Sequence, residues 1–211
     1  VFVPPFNAPL ARGTLLVAKA MENPLDESDV ALLAHRIELL TLVANKDSSQ
    51  TSKRSDTRRV VRVPATLFEA HAPILVLPKT GLSENFGQRI LIGWDESQVA
   101  MRAVRAALPI LRGASAVTIT VIDPPRHSPE RSDPGGALSQ MLARHGVHAD
   151  VATLAKTLPQ TSDILNRHVS DINADMVVIG GYGHARLREA ILGGATRGML
   201  ETATVPVLMA H

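Results

Sequence analysis

Cysteine is absent from the 211-residue chain, which rules out disulfides, thiol nucleophiles and thiolate metal sites. Aromatic residues make up only 3%, with one Trp and one Tyr. A core must therefore be built from Ala, Val, Leu and Ile, and stacking platforms for single-stranded nucleic acid are not expected. No apolar run approaches the ~20 residues of a membrane span. Charge of one sign is lacking too. Lys and Arg number 22 against 20 Asp and Glu, a formal charge of +2, so neither nucleic acid nor a membrane is expected as a partner. The opening VFVPPFNAPLARG has no initiator Met and no signal-peptide pattern, and a cytoplasmic location is the default expectation.

What is present is a regular alternation from Arg89 onward. RILIGW is a short apolar run ending at Asp95 and reads as a buried strand. VAMRAVRAALPILR carries apolar residues at helical spacing, and AVTITVI, Ala116 to Ile122, is rich in β-branched residues and reads as a strand. DPPRHSPERSDPGG is a loop, ALSQMLARHG a helix closed by Gly146, VHADVATL a strand, SDILNRHVSDIN a helix and ADMVVIG a strand. ATRGMLETA then reads as a helix and VPVLMAH as a last strand. Strands alternating with helices imply an α/β domain with a parallel sheet.

Before Gln88 the order is poorer. DESDVALLAHRIELLTLVA (26–44) predicts a helix running into a strand, and the stretch near 45–59, which has no apolar residue, predicts disorder. PATLFEAHAPILVLPKTG then resembles the chain's own end, MLETATVPVLMAH. Pro73-Ile74-Leu75-Val76 matches Pro206-Val207-Leu208-Met209. A helix followed by a Pro-headed strand thus occurs twice, which predicts a tandem duplication whose first copy is incomplete. The expected division is a partial domain over 1–83 and a complete one over 84–211. The first half has no glycine loop and is not expected to bind what the second half binds.

That loop is GGYGHARLREAILGGAT, Gly180 to Thr196. Glycines after a strand let backbone approach a ligand, and successive N–H groups there form an anion-binding nest. Gly193-Gly194-Ala195-Thr196 opens the next helix, whose N–H groups and dipole favour a phosphate. The spacing is neither Walker A nor GxGxxG. Gly180-x-x-Gly183, nine residues, then Gly193 is instead similar to the G-x2-G-x9-G pattern of the universal stress protein family. RILIGWDES also resembles that family's opening strand, and VPVLMAH its last. The resemblance covers Arg89 to His211. It implies a Rossmann-like, doubly wound sheet of five parallel strands in order 3-2-1-4-5, preceded here by an incomplete copy, and ATP binding in members with the full motif.

By this resemblance Asp95 lies near ribose or adenine, Ile122 and Asp123 line the adenine end, and Gly180, Gly183 and Gly193 cradle phosphates. Asp95 could equally cap the following helix, as could Ser97. Gly194 stands where ATP-binding members carry Ser or Thr, leaving a backbone N–H but no hydroxyl. Thr196 substitutes if the helix starts late, and is otherwise a first-turn hydroxyl. His184 could donate to a phosphate or be a solvated loop residue. Arg197 is the better phosphate candidate, because the helix dipole disfavours a cation there unless an anion is near. No catalytic constellation stands out, and the spacing of His145 and His148 argues against a metal site. The reading is a stress-response module binding ATP or a related adenine nucleotide, with Mg2+ accompanying the phosphates, and at most a slow ATPase. The rival is an interaction protein of the same fold that has lost the nucleotide. A nucleotidyl transferase ranks last, since WDESQVAMR lacks a His-x-x-His motif. The last strand, Val205 to Ala210, is expected to pair with PILVLP of the first half or with a second copy in a homodimer.

Overall fold

In the computed structural model the described residues are 15–19, 42–44, 73–78, 82–83, 86–124, 132–181 and 194–211. The Val-, Ile- and Leu-rich segments form the strands. They are β1 (Leu15–Lys19), β2 (Leu42–Ala44), β3 (Ile74–Leu77), β4 (Arg89–Trp94), β5 (Ala116–Ile122), β6 (Asp150–Leu154), β7 (Met176–Gly180) and β8 (Val207–Ala210). The periodic segments between the later strands form α1 (Gln98–Leu111), α2 (Gly136–Arg144), α3 (Thr161–Asp171) and α4 (Gly194–Thr202). In β4 and β7 most residues are buried. Such continuous apolar strands are what a parallel sheet needs when helices cover both faces.

The second half has the expected order. β6-β5-β4-β7-β8 are parallel neighbours, which is 3-2-1-4-5 counted within that half. On one face Ile90, Ile92, Ile119 and Val178 pack under Val104 of α1 and Leu142 of α2. On the other, Leu91, Val177 and Ile179 pack against Leu165 of α3 and Met199 of α4. Each fully buried aliphatic side chain contributes about 1.5–3 kcal/mol.

The sheet continues beyond these five strands through PILVLP of the first half, one of the two partners expected for the last strand. β8 pairs antiparallel with β3, and β3 continues in parallel to β1 and β2, giving eight strands in the order β2-β1-β3-β8-β7-β4-β5-β6. The pairs are Ile74 with Met209, Leu75 with Leu208, and Val76 with Val207. Leu75 and Leu208 hold the same place in the two Pro-headed segments, so the junction is centred on a pair of equivalent residues. One difference concerns β6, which starts at Asp150 rather than Val147. The Val147 N–H donates to the Leu142 carbonyl at 3.0 Å, closing α2, and this ties 147–149 into the turn. The expected helix and disorder over 26–41, 45–59 and 64–72 lie outside the described residues. Among the described residues no helix is long and apolar enough to cross a membrane.

One carboxylate ties the two central strands together at their amino ends. Asp175, just before β7, accepts from the N–H groups of Gly87, Gln88 and Arg89 at 2.9, 3.0 and 3.0 Å. The Arg89 guanidinium donates to the Ile172 carbonyl at 3.1 and 2.9 Å, joining the end of α3 to the same corner. Because β4 and β7 start in fixed register, their carboxyl ends emerge side by side.

Candidate functional site

Those carboxyl ends lie where the order of connection reverses. α1 and α2 leave β4 and β5 for one face of the sheet, while α3 and α4 flank β7 on the other. The two crossovers therefore part between β4 and β7 and leave a crevice, the usual ligand position in open α/β sheets. In this chain the crevice has a volume of about 110 Å³ and is lined by Gly93, Trp94, Asp95, Thr120, Ile122, Leu165, Ile179, Gly180 and Ala195. That is below the ~300–1,000 Å³ common for small-molecule sites, and is room for one ring rather than a whole nucleotide.

Gly93 makes the space. It lies in register between Ile179 of β7 and Thr120 of β5. A Cβ at Gly93 would come within 2.8 Å of Ile179 Cγ2, which leans over it. Gly180 has a different task. A Cβ there would sit 2.6 Å from the Ala100 backbone nitrogen and 2.8 Å from Val99 Cγ2. The first turn of α1 thus rests directly on the end of β7, and only glycine allows that approach. One residue on, the Gly181 N–H donates to the Ala210 carbonyl at 2.9 Å, and the His211 ring, in the tautomer with its proton on Nδ1, donates to the Gly181 carbonyl at 3.0 Å.

The chain leaves β4 through a tight turn. Ser97 is the N-cap of α1, its Oγ accepting from the Ala100 N–H at 3.1 Å. Asp95 Oδ1 accepts from the Ser97 N–H, also at 3.1 Å. Ser97 therefore does the capping, while Asp95 shapes the turn and stays at the lip of the crevice. Glu96 has a φ of +61° and Asp123, just after β5, a φ of +50°. These left-handed residues stand at the ends of adjacent strands. Such conformations cost of order 1–3 kcal/mol each and cluster where a site needs a fixed turn. The other non-glycine example among the described residues, Asn173 with φ +51°, follows the end of α3, where such a residue commonly closes a helix.

Opposite this turn lies α4, whose described residues run from Gly194. Its place is set by α3. A Cβ on Gly198 would strike Ser162, and Asn166 Nδ2 donates to Thr202 Oγ1 at 2.7 Å. Thr196 is buried in the first turn, 5% exposed. Arg197 is exposed and bound through Nε to Glu201 Oε1 at 2.8 Å. That hydrogen bond, and then the charge of Glu201, raises its pKa above an already high ordinary value. The anion that compensates this cation thus lies one turn further along α4.

Of the residues chosen from sequence, the crevice brings together Asp95, Ile122, Gly180 and Ala195. Asp123 follows Ile122 just outside it, and Gly194, Thr196 and Arg197 belong to α4 without lining it. Gly183, His184 and Gly193 lie outside the described residues. Sequence reasoning missed Gly93, Trp94, Thr120, Leu165 and Ile179. Two had a signal: a glycine inside the apolar run RILIGW marks a close approach, and AVTITVI places hydroxyls on one face of an interior strand.

The model of the universal stress protein family matches residues 87–211. A universal stress protein from Archaeoglobus fulgidus DSM 4304 matches over 95% of this chain and 99% of its own, with a TM-score of 0.62 at 12% identity. The hypothetical protein MJ0577 matches over 59% of this chain and 96% of its own, with a TM-score of 0.50 at 18% identity. A universal stress protein in complex with cAMP covers 59% and 97%, with a TM-score of 0.44 at 18% identity. No curated protein sequence is significantly similar to the chain. The first two solved structures share its fold, and the family model covers more than half its length from Gly87 onward. The chain belongs to the universal stress protein family.

Proposed function

We propose that this protein binds an adenine nucleotide, ATP or a close relative, in its second half and acts as a stress-response signalling module. The observation that carries this reading is the crevice at the strand reversal. There Asp95, Ile122, Gly180 and Ala195 meet beside the amino end of α4. Ring and sugar belong at the crevice and the Asp95 lip, and the phosphates towards the first turn of α4, whose dipole favours anions. Asp123, Gly183, His184, Gly193, Gly194, Thr196 and Arg197 are proposed to surround the same ligand. Among the described residues no cluster of three His, Asp or Glu could hold a metal. Mg2+ is therefore proposed to arrive on the phosphates, with Asp95 as the nearest carboxylate.

The rival reading, an interaction protein without nucleotide, is favoured by two observations. Gly194 brings no hydroxyl to the helix start, and Arg197 is already engaged by Glu201. A thermal melt separates the two. With ATP and Mg2+ at a hundred times Kd, stability should rise by about 2.7 kcal/mol, or roughly 5–10 °C for a chain of this size. An unchanged melt at millimolar ATP would support the interaction protein.

Residues 1–83 are proposed to be a partial copy of the same domain, retained to cover the edge of β8. In the complete half the last strand adjoins β7, which leads into the glycine loop. In the first half β3 adjoins β1, and among the described residues no strand stands between them. An intramolecular pseudo-dimer follows, with β3 in the place of a partner subunit's last strand. The full chain should sediment as a monomer. A fragment of residues 84–211 should dimerise through its bared β8 edge. A full-length dimer that loses nothing on deletion of residues 1–83 would contradict this arrangement.

A further inference from the structure

We propose that Thr120 selects the ring of the ligand, its hydroxyl hydrogen-bonding a nitrogen on the edge of a heteroaromatic base seated in the crevice. The inference rests on the nucleotide reading above and names the residue that reads the base. β5 is an interior strand, paired with β4 and β6. Val117, Ile119 and Val121 point from it into the layer under α1 and α2, so Thr120 faces the α3 side, where the crevice lies. It is 1% exposed, and its Oγ1 has no hydrogen-bond partner. A buried hydroxyl without a partner is destabilising, whereas valine has the same shape and carries no such cost. Around it Ile122, Leu165 and Ile179 are apolar, and Ile179 Cγ2 lies over Gly93.

A largely apolar slot with a few placed polar groups is how small-ligand sites fix orientation, and the Thr120 hydroxyl is such a group. A phosphate or a sugar would need several partners, and the walls about the Thr120 hydroxyl are aliphatic. A flat ring fills the slot with its faces on aliphatic side chains. Its edge needs one partner, and a hydroxyl can serve as donor or acceptor. The oxygen is sealed in the empty fold. The ring reaches it by displacing Ile179 Cγ2, which leans into the space that Gly93 leaves.

The test compares the full-length wild type with Thr120→Val and Thr120→Ser, by calorimetric titration with ATP–Mg2+ and by melting without ligand. If Thr120 reads the ring, Thr120→Val melts at or above the wild-type temperature without ligand and binds ATP about three- to tenfold more weakly. Thr120→Ser, which keeps the hydroxyl, restores most of the affinity. Purine riboside triphosphate, lacking the exocyclic amine, shows whether the hydroxyl meets that amine or a ring nitrogen. If it meets the amine, the Thr120→Val penalty vanishes with this analogue, and if a ring nitrogen, the penalty remains. Wild-type binding that Thr120→Val leaves unchanged would overturn this inference and spare the nucleotide reading. A ligand-free Thr120→Val that melts well below wild type would show that the hydroxyl has an internal role, and would overturn it too. No binding of ATP by the wild type at millimolar concentration would end both.

Discussion

Replacing Asp175 by Ala should destabilise the protein by about 3–4 kcal/mol, the largest loss expected from any single polar side chain described here. Its carboxylate accepts from three consecutive N–H groups at the start of β4, two of them part-buried. Hydrogen bonds to a charged group are worth about 1.5–3 kcal/mol each, and donors left without a partner add to the loss. Water can reach the exposed Arg89 end of the cluster, which keeps the sum below three full bonds. The expected fall in melting temperature is roughly 6–15 °C. Asp175→Asn keeps one acceptor oxygen and should lose about half as much. Denaturant unfolding of the two variants checks the order. Equal and small losses would show that the register of β4 and β7 is held by the apolar core alone. Ligand affinity should fall in both variants, since the crevice is formed by the far ends of the same two strands.

The fold was legible because its two periodicities are clean. RILIGW and AVTITVI became strands with the expected bounds, and the arginines of the following segment left the apolar stripe of α1 unbroken. The pairing of β3 with β8 was also within reach, since each follows a Pro and the two repeat one pattern. The choice between an internal partner and a second copy was not. It depends on whether distant residues build a sheet edge at all, which no local pattern encodes. The site was half legible. A motif marks where backbone must be thin, so Gly180 and the start of α4 were found. Long-range packing decided the rest. Gly93 acquires its meaning from Ile179 across the sheet, and Thr120 from a helix that leaves it no partner. Arg197 pairs with Glu201, four residues away in the same helix, a contact that the helix-dipole argument did not include.

Gly180→Ala separates the motif's two possible meanings. If that glycine served only to cradle phosphate, adding a methyl group would weaken nucleotide binding and leave the empty protein as stable as before. The packing predicts otherwise. The new Cβ would lie 2.6 Å from the Ala100 nitrogen and 3.0 Å from its Cα. Those are backbone atoms in a capped first turn, so no side-chain rotation relieves the contact. Either α1 lifts from the sheet or β7 bends. Overpacking costs typically 1–3 kcal/mol, and with rigid backbone on both sides the expected loss is about 3 kcal/mol, or roughly 6–12 °C in melting temperature. Lifting α1 also carries Ser97 and Asp95 with it, because the cap and the turn are joined by the Ser97 N–H. Ligand affinity should therefore fall together with stability, and should not recover in a background stabilised elsewhere. Calorimetry of the ligand-free variant decides the matter. A wild-type melt in Gly180→Ala would mean that α1 does not rest on β7 as described, and that this glycine answers to the ligand alone.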